Sequence, residues 1–383
     1  MQPAPAPTSI LLGFLLAAST ALGAAPSLYP TLPLGAPAPD FRLPGADGKT
    51  YRLRDFRRAE LLVVVFTCNH CPTAQAYEER IKQLVTDYRS RNVALIAINP
   101  NSPAGVRLDE LGYTDLDDTF ASMKVRAKQR QFNFPYLDDG PKEAVAKLFG
   151  PVATPHVFIF DKARQLRYQG RIDNNEREEL VTSRDTRAAL DALLAGKEPP
   201  VTQTKVFGCS TKWADKAEAN QRWMEKVRRE PVTVTPADAA VLKELRANKS
   251  GRVRLLNVWA TWCGPCVAEF DELLECNLCF RHRDFELVTV AAQFPDEREK
   301  VLAFLQKHHA STRNVLFGES DKYKLMEALD PEWNGALPHT LLVAPNGEVL
   351  FRHTGELDFI ELRRKIVPAL NRITPWPGMT EAK

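Results

Sequence analysis

The sequence has no apolar stretch of the length that a membrane span requires. Its extended apolar run, Ile10 to Leu22, holds 13 residues, against the ~20 that a helix needs to cross a bilayer. Strong charge of either sign is also missing: the formal net charge of the 383-residue chain is +3, which provides no field suited to nucleic acid. Two local basic runs, Lys124–Arg130 and Arg363–Lys365, are expected to be solvated helix faces. No Lys or Arg stands ahead of the N-terminal run, the first being Arg42. Cysteine is scarce at seven residues, yet six of the seven fall into three Cys-x-x-Cys pairs.

What is present suits globular cores, with 44% hydrophobic and 26% charged residues. The length predicts two domains at ~100 to 200 residues each. Small residues, Ala21 to Ala25, follow the N-terminal run. This predicts a secretory signal peptide over 1–25, export to the periplasm or another extracytoplasmic compartment, and a mature chain without a transmembrane span. An uncleaved N-terminal anchor is the alternative. The absence of cysteine near the cleavage point argues against lipid attachment there, and Pro26 to Pro39 reads as an extended leader.

In the first half, Asp47-Gly48 predicts a hairpin within Phe41–Leu53. Leu61–Phe66 is a continuous apolar, β-branched run and predicts a strand buried on both faces. It leads directly into Cys68-Asn69-His70-Cys71-Pro72 and then a helical stretch, Ala74–Tyr88. Unpaired N–H groups and the helix dipole at such a junction favour a thiolate, which makes the first cysteine a nucleophile. A cationic His70 would lower the Cys68 pKa and make the couple more oxidising; the alternative is an imidazole in solvent. Val93–Asn99 reads as a second buried strand, with helices over Thr119–Gln131, Lys142–Leu148 and Asp185–Leu194. Pro155 cannot donate to a ladder and so marks the start of a strand running to Phe160, with another over Gln165–Arg171. A proline-containing stretch leads to Cys209, the unpaired cysteine, which could resolve a disulfide at Cys68 or Cys71 or be a packed thiol beside Trp213.

A charged helical connector over 214–230 precedes the second half. There, Thr235–Leu245 is read as a helix with its N-cap, and the strand Arg254–Ala260 delivers Trp262-Cys263-Gly264-Pro265-Cys266 to the mouth of another helix. Strands at Phe285–Ala291, Val315–Phe317 and Val349–His353, helices at Asp296–His308, Asp321–Leu329 and Phe359–Leu370, and Pro338 heading its own strand repeat the order of the first half. Glu269 lies one turn beyond Cys266 and is a candidate to take its proton; a solvent-exposed helix residue is the plainer alternative. Cys276 and Cys279 extend the pattern to four cysteines. A continuous helix would separate Cys266 from Cys276 by roughly 15 Å, too far for one zinc ion. They are expected to be packed thiols, with a peripheral redox or metal pair as the alternative, and no metal site is assigned.

Phe-x-Cys-Asn-His-Cys-Pro around Cys68 resembles the redoxin, peroxiredoxin-like branch of the thioredoxin superfamily, over 34–213 including the Gly-Cys-Ser-x-Lys-Trp tail at Cys209. It departs from true peroxiredoxins, which carry Pro-x-x-x-Thr-x-x-Cys, because Leu61 and Val65 stand in those places before Cys68. Asn257, Trp262, Glu269 and Leu337-Pro338 make 231–373 similar to the TlpA/ResA group. The resemblance implies an α/β class: two thioredoxin-like folds in tandem, each a central mixed β-sheet flanked by helices, with Pro155 and Pro338 as cis-prolines opposite the cysteine pairs and Trp262 at the substrate surface. It implies thiol-disulfide exchange with protein substrates and an unidentified electron donor, without any cofactor beyond redox-active disulfides. The two sites could relay electrons. A peroxidase recycled by the second domain is one alternative; non-enzymatic structural disulfides are another.

Overall fold

The structure, a computed structural model, describes residues 28–379. The expected signal segment lies outside them. In the first unit a hairpin, β1 (Arg42–Pro44) and β2 (Thr50–Arg52), precedes β3 (Leu61–Phe66), α1 (Pro72–Ala76), α2 (Glu78–Tyr88) and β4 (Val93–Asn99). There follow α3 (Phe120–Gln129), β5 (Tyr136–Asp138), α4 (Ala144–Phe149), β6 (Ala153–Thr154), β7 (His156–Phe160), β8 (Leu166–Gly170), α5 (Asp185–Leu194) and β9 (Cys209–Ser210). Strands β5, β4, β3, β7 and β8 form one sheet in that order, the first three parallel and the last two antiparallel.

Strand β3 shows why the sheet forms where it does. All six of its residues are buried, and alternation sends Leu61, Val63 and Val65 into one core while Leu62, Val64 and Phe66 enter the other. A strand with an apolar layer on each face takes the centre of the sheet.

The connector is α6 (Ala217–Arg228). The second unit runs β10 (Thr235–Ala237), α7 (Ala239–Ala247), β11 (Val253–Trp259), α8 (Gly264–Phe280), β12 (Phe285–Ala291), α9 (Arg298–Lys307) and β13 (Arg313–Phe317). It closes with α10 (Lys322–Leu329), β14 (His339–Val343), β15 (Val349–Thr354) and α11 (Phe359–Ile373). Its six strands are ordered β10, β13, β12, β11, β14, β15. Central β11 repeats the division seen in β3, with Val253, Leu255 and Trp259 on one core and Leu256 and Val258 on the other.

Two sequence expectations change. Thr235–Ala237 is an edge strand parallel to β13, not the first turn of a helix; an edge tolerates the missing donor of Pro236, and Asp238 becomes the N-cap by accepting from Val241 N. The basic runs are not uniformly solvated either. Arg126 is buried, with its Nε 2.6 Å from Glu78 Oε1, and Arg363 hydrogen-bonds Cys276.

The units touch through the segment 106–118 of the first. Leu111 joins the apolar core built on α8, Arg283 donates to the Gly112 carbonyl at 2.9 Å, and Arg364 Nε donates to Asp115 at 3.0 Å. No helix among the described residues is long and apolar enough to cross a membrane.

Candidate functional site

In the second unit, β11 ends at Trp259 and α8 begins at Gly264, so Cys263 is the helix N-cap and its sulfur accepts from Cys266 N at 3.3 Å. Cys263 and Cys266 are joined in a disulfide. Both are buried, while Trp262 beside them is 64% exposed. The antiparallel pairing of β14 with β11 sets His339 opposite Val258, which carries Pro338, preceded by a cis peptide, to the end of the sheet where the disulfide lies. Glu269 is half-buried and accepts from Leu357 N at 2.9 Å; its Oε1 is a buried atom without a partner. Burial raises the Glu269 pKa against the lowering effect of that N–H and of Asn257.

Cys276 and Cys279 are buried in the same unbroken helix of 17 residues. Burial pushes their thiols up to about 11 and about 12 respectively. Neither is placed to join the pair at the helix start.

The first unit arranges its thiols differently. Cys68 and Cys71 are both buried and unbonded, and Cys209 is partly buried. Cys71 is the N-cap of α1, where its sulfur accepts from Ala74 N at 3.4 Å. The short pairing of β6 with β9 sets Thr154 opposite Cys209 and brings Cys209 N to 3.4 Å from Cys71 Sγ. Cys68 Sγ is 3.2 Å from Thr154 Oγ1, and Cys71 Sγ is 3.4 Å from the Thr154 carbonyl oxygen. Pro155, also preceded by a cis peptide, follows that threonine. Cys209 packs against Cys68, Cys71 and Ala74, and the Trp213 ring lies tilted 4.6 Å from Tyr29 between centroids.

His70 is 2% exposed and therefore not a solvent-facing imidazole. Its Nδ1 lies 2.5 Å from Asp118 Oδ2. Burial pulls the His70 pKa down, but the Asp118 carboxylate outweighs this and raises it. The surroundings favour the charged form at Cys71 rather than at the expected Cys68. Burial, its hydrogen bond with Cys71 and the charge of Asp118 push Cys68 well up. Burial raises Cys71 too, but hydrogen bonds with Cys209 and Cys68, the charge of His70 and the Ala74 N–H bring it well below the ordinary thiol value. The hydrogen bonds from Cys209 and Cys68 dominate the lowering, and the helix-mouth position of Cys71, through the Ala74 N–H, adds to it.

Sequence reasoning missed Asp118 and Thr154. An aspartate 47 residues beyond Cys71 carries no spacing signal, and Thr154 was legible only through its neighbour Pro155. Cys68, His70 and Asp118 bring ligand atoms within 4.8 Å of one another. Both Asp118 oxygens are already occupied by N–H donors from Asn69, His70 and Asn101, so the trio is a hydrogen-bonded array beside a thiol rather than a cation site.

Each unit is thus a thioredoxin-type fold that presents a Cys-x-x-Cys where its central strand meets a helix. Residues 34–169 match the AhpC/TSA family and residues 231–363 match the Redoxin family; the chain belongs to these thioredoxin-like redoxins, carrying two such domains in tandem. It is similar to the thiol:disulfide interchange protein CycY of Rhizobium leguminosarum bv. viciae, 28% identical over 32% of this chain and 60% of that one. It is also similar to DsbE of Escherichia coli K12, 32% identical over 28% of this chain and 52% of that one. The chain spans about half the length of these curated relatives. Among solved structures, the hypothetical protein SMc02350 of Sinorhizobium meliloti is 34% identical over 48% of this chain and 96% of its own, with a TM-score of 0.43.

Proposed function

We propose that this chain is a thiol:disulfide oxidoreductase that exchanges disulfides with protein substrates through two Cys-x-x-Cys sites in an extracytoplasmic compartment. The observation that carries the reading is the Cys263–Cys266 disulfide at the N-cap of α8 beside exposed Trp262. When the pair is reduced, the Cys263 thiolate attacks a substrate disulfide, forming a mixed disulfide and releasing one substrate thiolate. Cys266 then attacks Cys263, releasing the second substrate thiolate and restoring the Cys263–Cys266 bond. Two electrons pass to the substrate, and the reverse order oxidises it. Pro338 and Trp262 would line the substrate path, and Glu269 would accept the Cys266 proton. In the first unit, Cys71 and Cys68 would perform the same exchange, with His70 supporting the thiolate and Cys209 as a second resolving thiol. The names of the relatives, thiol:disulfide interchange proteins, support this chemistry, and the apolar run before Ala25 supports export.

Reduction of insulin disulfides by the dithiothreitol-charged protein tests the reading. Turnover should fall at least tenfold in Cys263→Ser. Unchanged turnover there, or a Cys263–Cys266 potential below about −300 mV as in structural disulfides, would remove it.

One observation favours a second reading, a thiol peroxidase. The thiol with the lowered pKa is Cys71, which is followed by Pro72 and lies within the AhpC/TSA match. Peroxide would oxidise the Cys71 thiolate to a sulfenic acid, and the Cys68 or Cys209 thiol would condense with it to a disulfide, releasing water. Counted back from Cys71, Val64 and Cys68 fill the proline and threonine places, so the orienting hydroxyl is absent by that count as well. Peroxide consumption that survives Cys71→Ser would exclude this reading.

A further inference from the structure

Asp118 is fully committed to the first thiol site. Its Oδ1 accepts from the backbone N–H groups of Asn69, at 2.8 Å, and His70, at 3.0 Å, the two residues between Cys68 and Cys71. Its Oδ2 accepts from Asn101 Nδ2 at 2.7 Å and faces His70 Nδ1 at 2.5 Å. With a carboxylate on that side, Nδ1 carries the shared proton, and Nε2 is the ring nitrogen left to meet another partner. His70 Nε2 is a buried atom without a hydrogen-bond partner. Leaving such a buried group unpaired is costly, a cost that a purely structural histidine gives no reason to retain.

The same segment that ends in Asp118 is held from the other side by the second unit. Leu111 is packed in the core around α8, and Arg283 and Arg364 bond Gly112 and Asp115. Gly112 packs closely on the second unit: an added Cβ would lie 3.0 Å from the Cys279 carbonyl oxygen. Asn69 Nδ2 further donates to the Asp117 carbonyl at 2.7 Å, tying the Cys-x-x-Cys loop to this segment.

We infer that Asp118 is the positioning residue of the first thiol site, acting through His70, and that the second domain completes this site by docking on the 106–118 segment that carries Asp118. Toward Cys71 the role of Asp118 is indirect: it makes no hydrogen bond to a sulfur, and its direct electrostatic effect falls on Cys68. Besides Asp118, the charged and titratable groups that act on His70 include Cys71 and Lys212 and Glu110, with Lys212 itself paired to Glu110 at 2.5 Å. The inference rests on the reading of Cys68 and Cys71 as a reactive pair.

The test is the pH profile of Cys71 carbamidomethylation by iodoacetamide in the reduced full-length protein, followed by peptide mass analysis. Alkylation needs no protein disulfide substrate, so its result stands apart from the insulin assay. Asp118→Asn should move the midpoint of the profile up by about one pH unit, the effect of losing one opposite charge. It should have no further effect in a His70→Asn background, since the two act as one unit. The double variant Arg283→Ala/Arg364→Ala, remote from the sulfurs, should shift the midpoint in the same direction and again lose its effect in His70→Asn. An unshifted Asp118→Asn profile, or a shift undiminished in His70→Asn, overturns the inference. If Asp118→Asn does not fold, the arginine variant decides alone, and an unshifted midpoint there overturns it.

Discussion

Glu269 and Cys71 show how single side chains acquire chemistry from their surroundings. Burial keeps the proton on Glu269 to a higher pH than an ordinary glutamate. Below its raised pKa the group is an acid, and only above it can it accept a proton from Cys266. Exchange at the second site should therefore show a rising limb above the usual carboxylate range. Glu269→Gln should flatten that limb, with the rate of reaction with a small aromatic disulfide followed across pH; a limb that persists would assign it elsewhere. Glu269 was legible from its place one turn past Cys266. The location of the first thiolate was not. Cys68 comes first in the chain, but it is buried, hydrogen-bonded to Cys71 and faces the Asp118 charge, while Cys71 receives hydrogen bonds from Cys209, Cys68 and the Ala74 N–H.

At the level of elements, a continuous apolar run proved a reliable sign of a central strand. Leu61–Phe66 is such a run; Val253–Trp259 feeds two cores as well, but it is interrupted by Arg254 and Asn257, which pair with Glu286 and Thr340. Short elements were less visible. Strand β10 contains a proline, has exposed Thr235 and Pro236, and exists because β13 offers an open edge. Its consequence is that the cap of α7 falls on Asp238. Asp238→Ala should lower stability by about 1 kcal/mol, read as a shift of the chemical denaturation midpoint without a change in slope. Thr235→Ala should be nearly silent, whereas a helix capped at Thr235 would reverse the two results.

For the whole molecule, the position of the interface limits any relay between the sites. The first unit docks near Cys279, at the end of α8 opposite its disulfide. The 16-residue separation between Cys263 and Cys279 corresponds to roughly 24 Å along a helix. In this arrangement the two reactive pairs do not meet. The chain carrying both Cys71→Ser and Cys266→Ser should therefore form no interdomain mixed disulfide under native conditions. Accumulation of one, detected by non-reducing peptide mapping, would show that the domains separate during turnover. The sequence by itself determined the duplicated order of strands and helices, the junctions at Cys68–Cys71 and Cys263–Cys266, and the proline-headed strands at Pro155 and Pro338. These depend on local propensities and on periodicities within a few residues. Only the tertiary structure decided that Cys71 is the thiol whose surroundings lower its pKa, that Thr154 and Cys209 lie against it, that Asp118 holds His70, and that a loop of one domain is clamped by the other. Those relations join residues dozens of positions apart through sheet order and packing, and no spacing along a single chain encodes them.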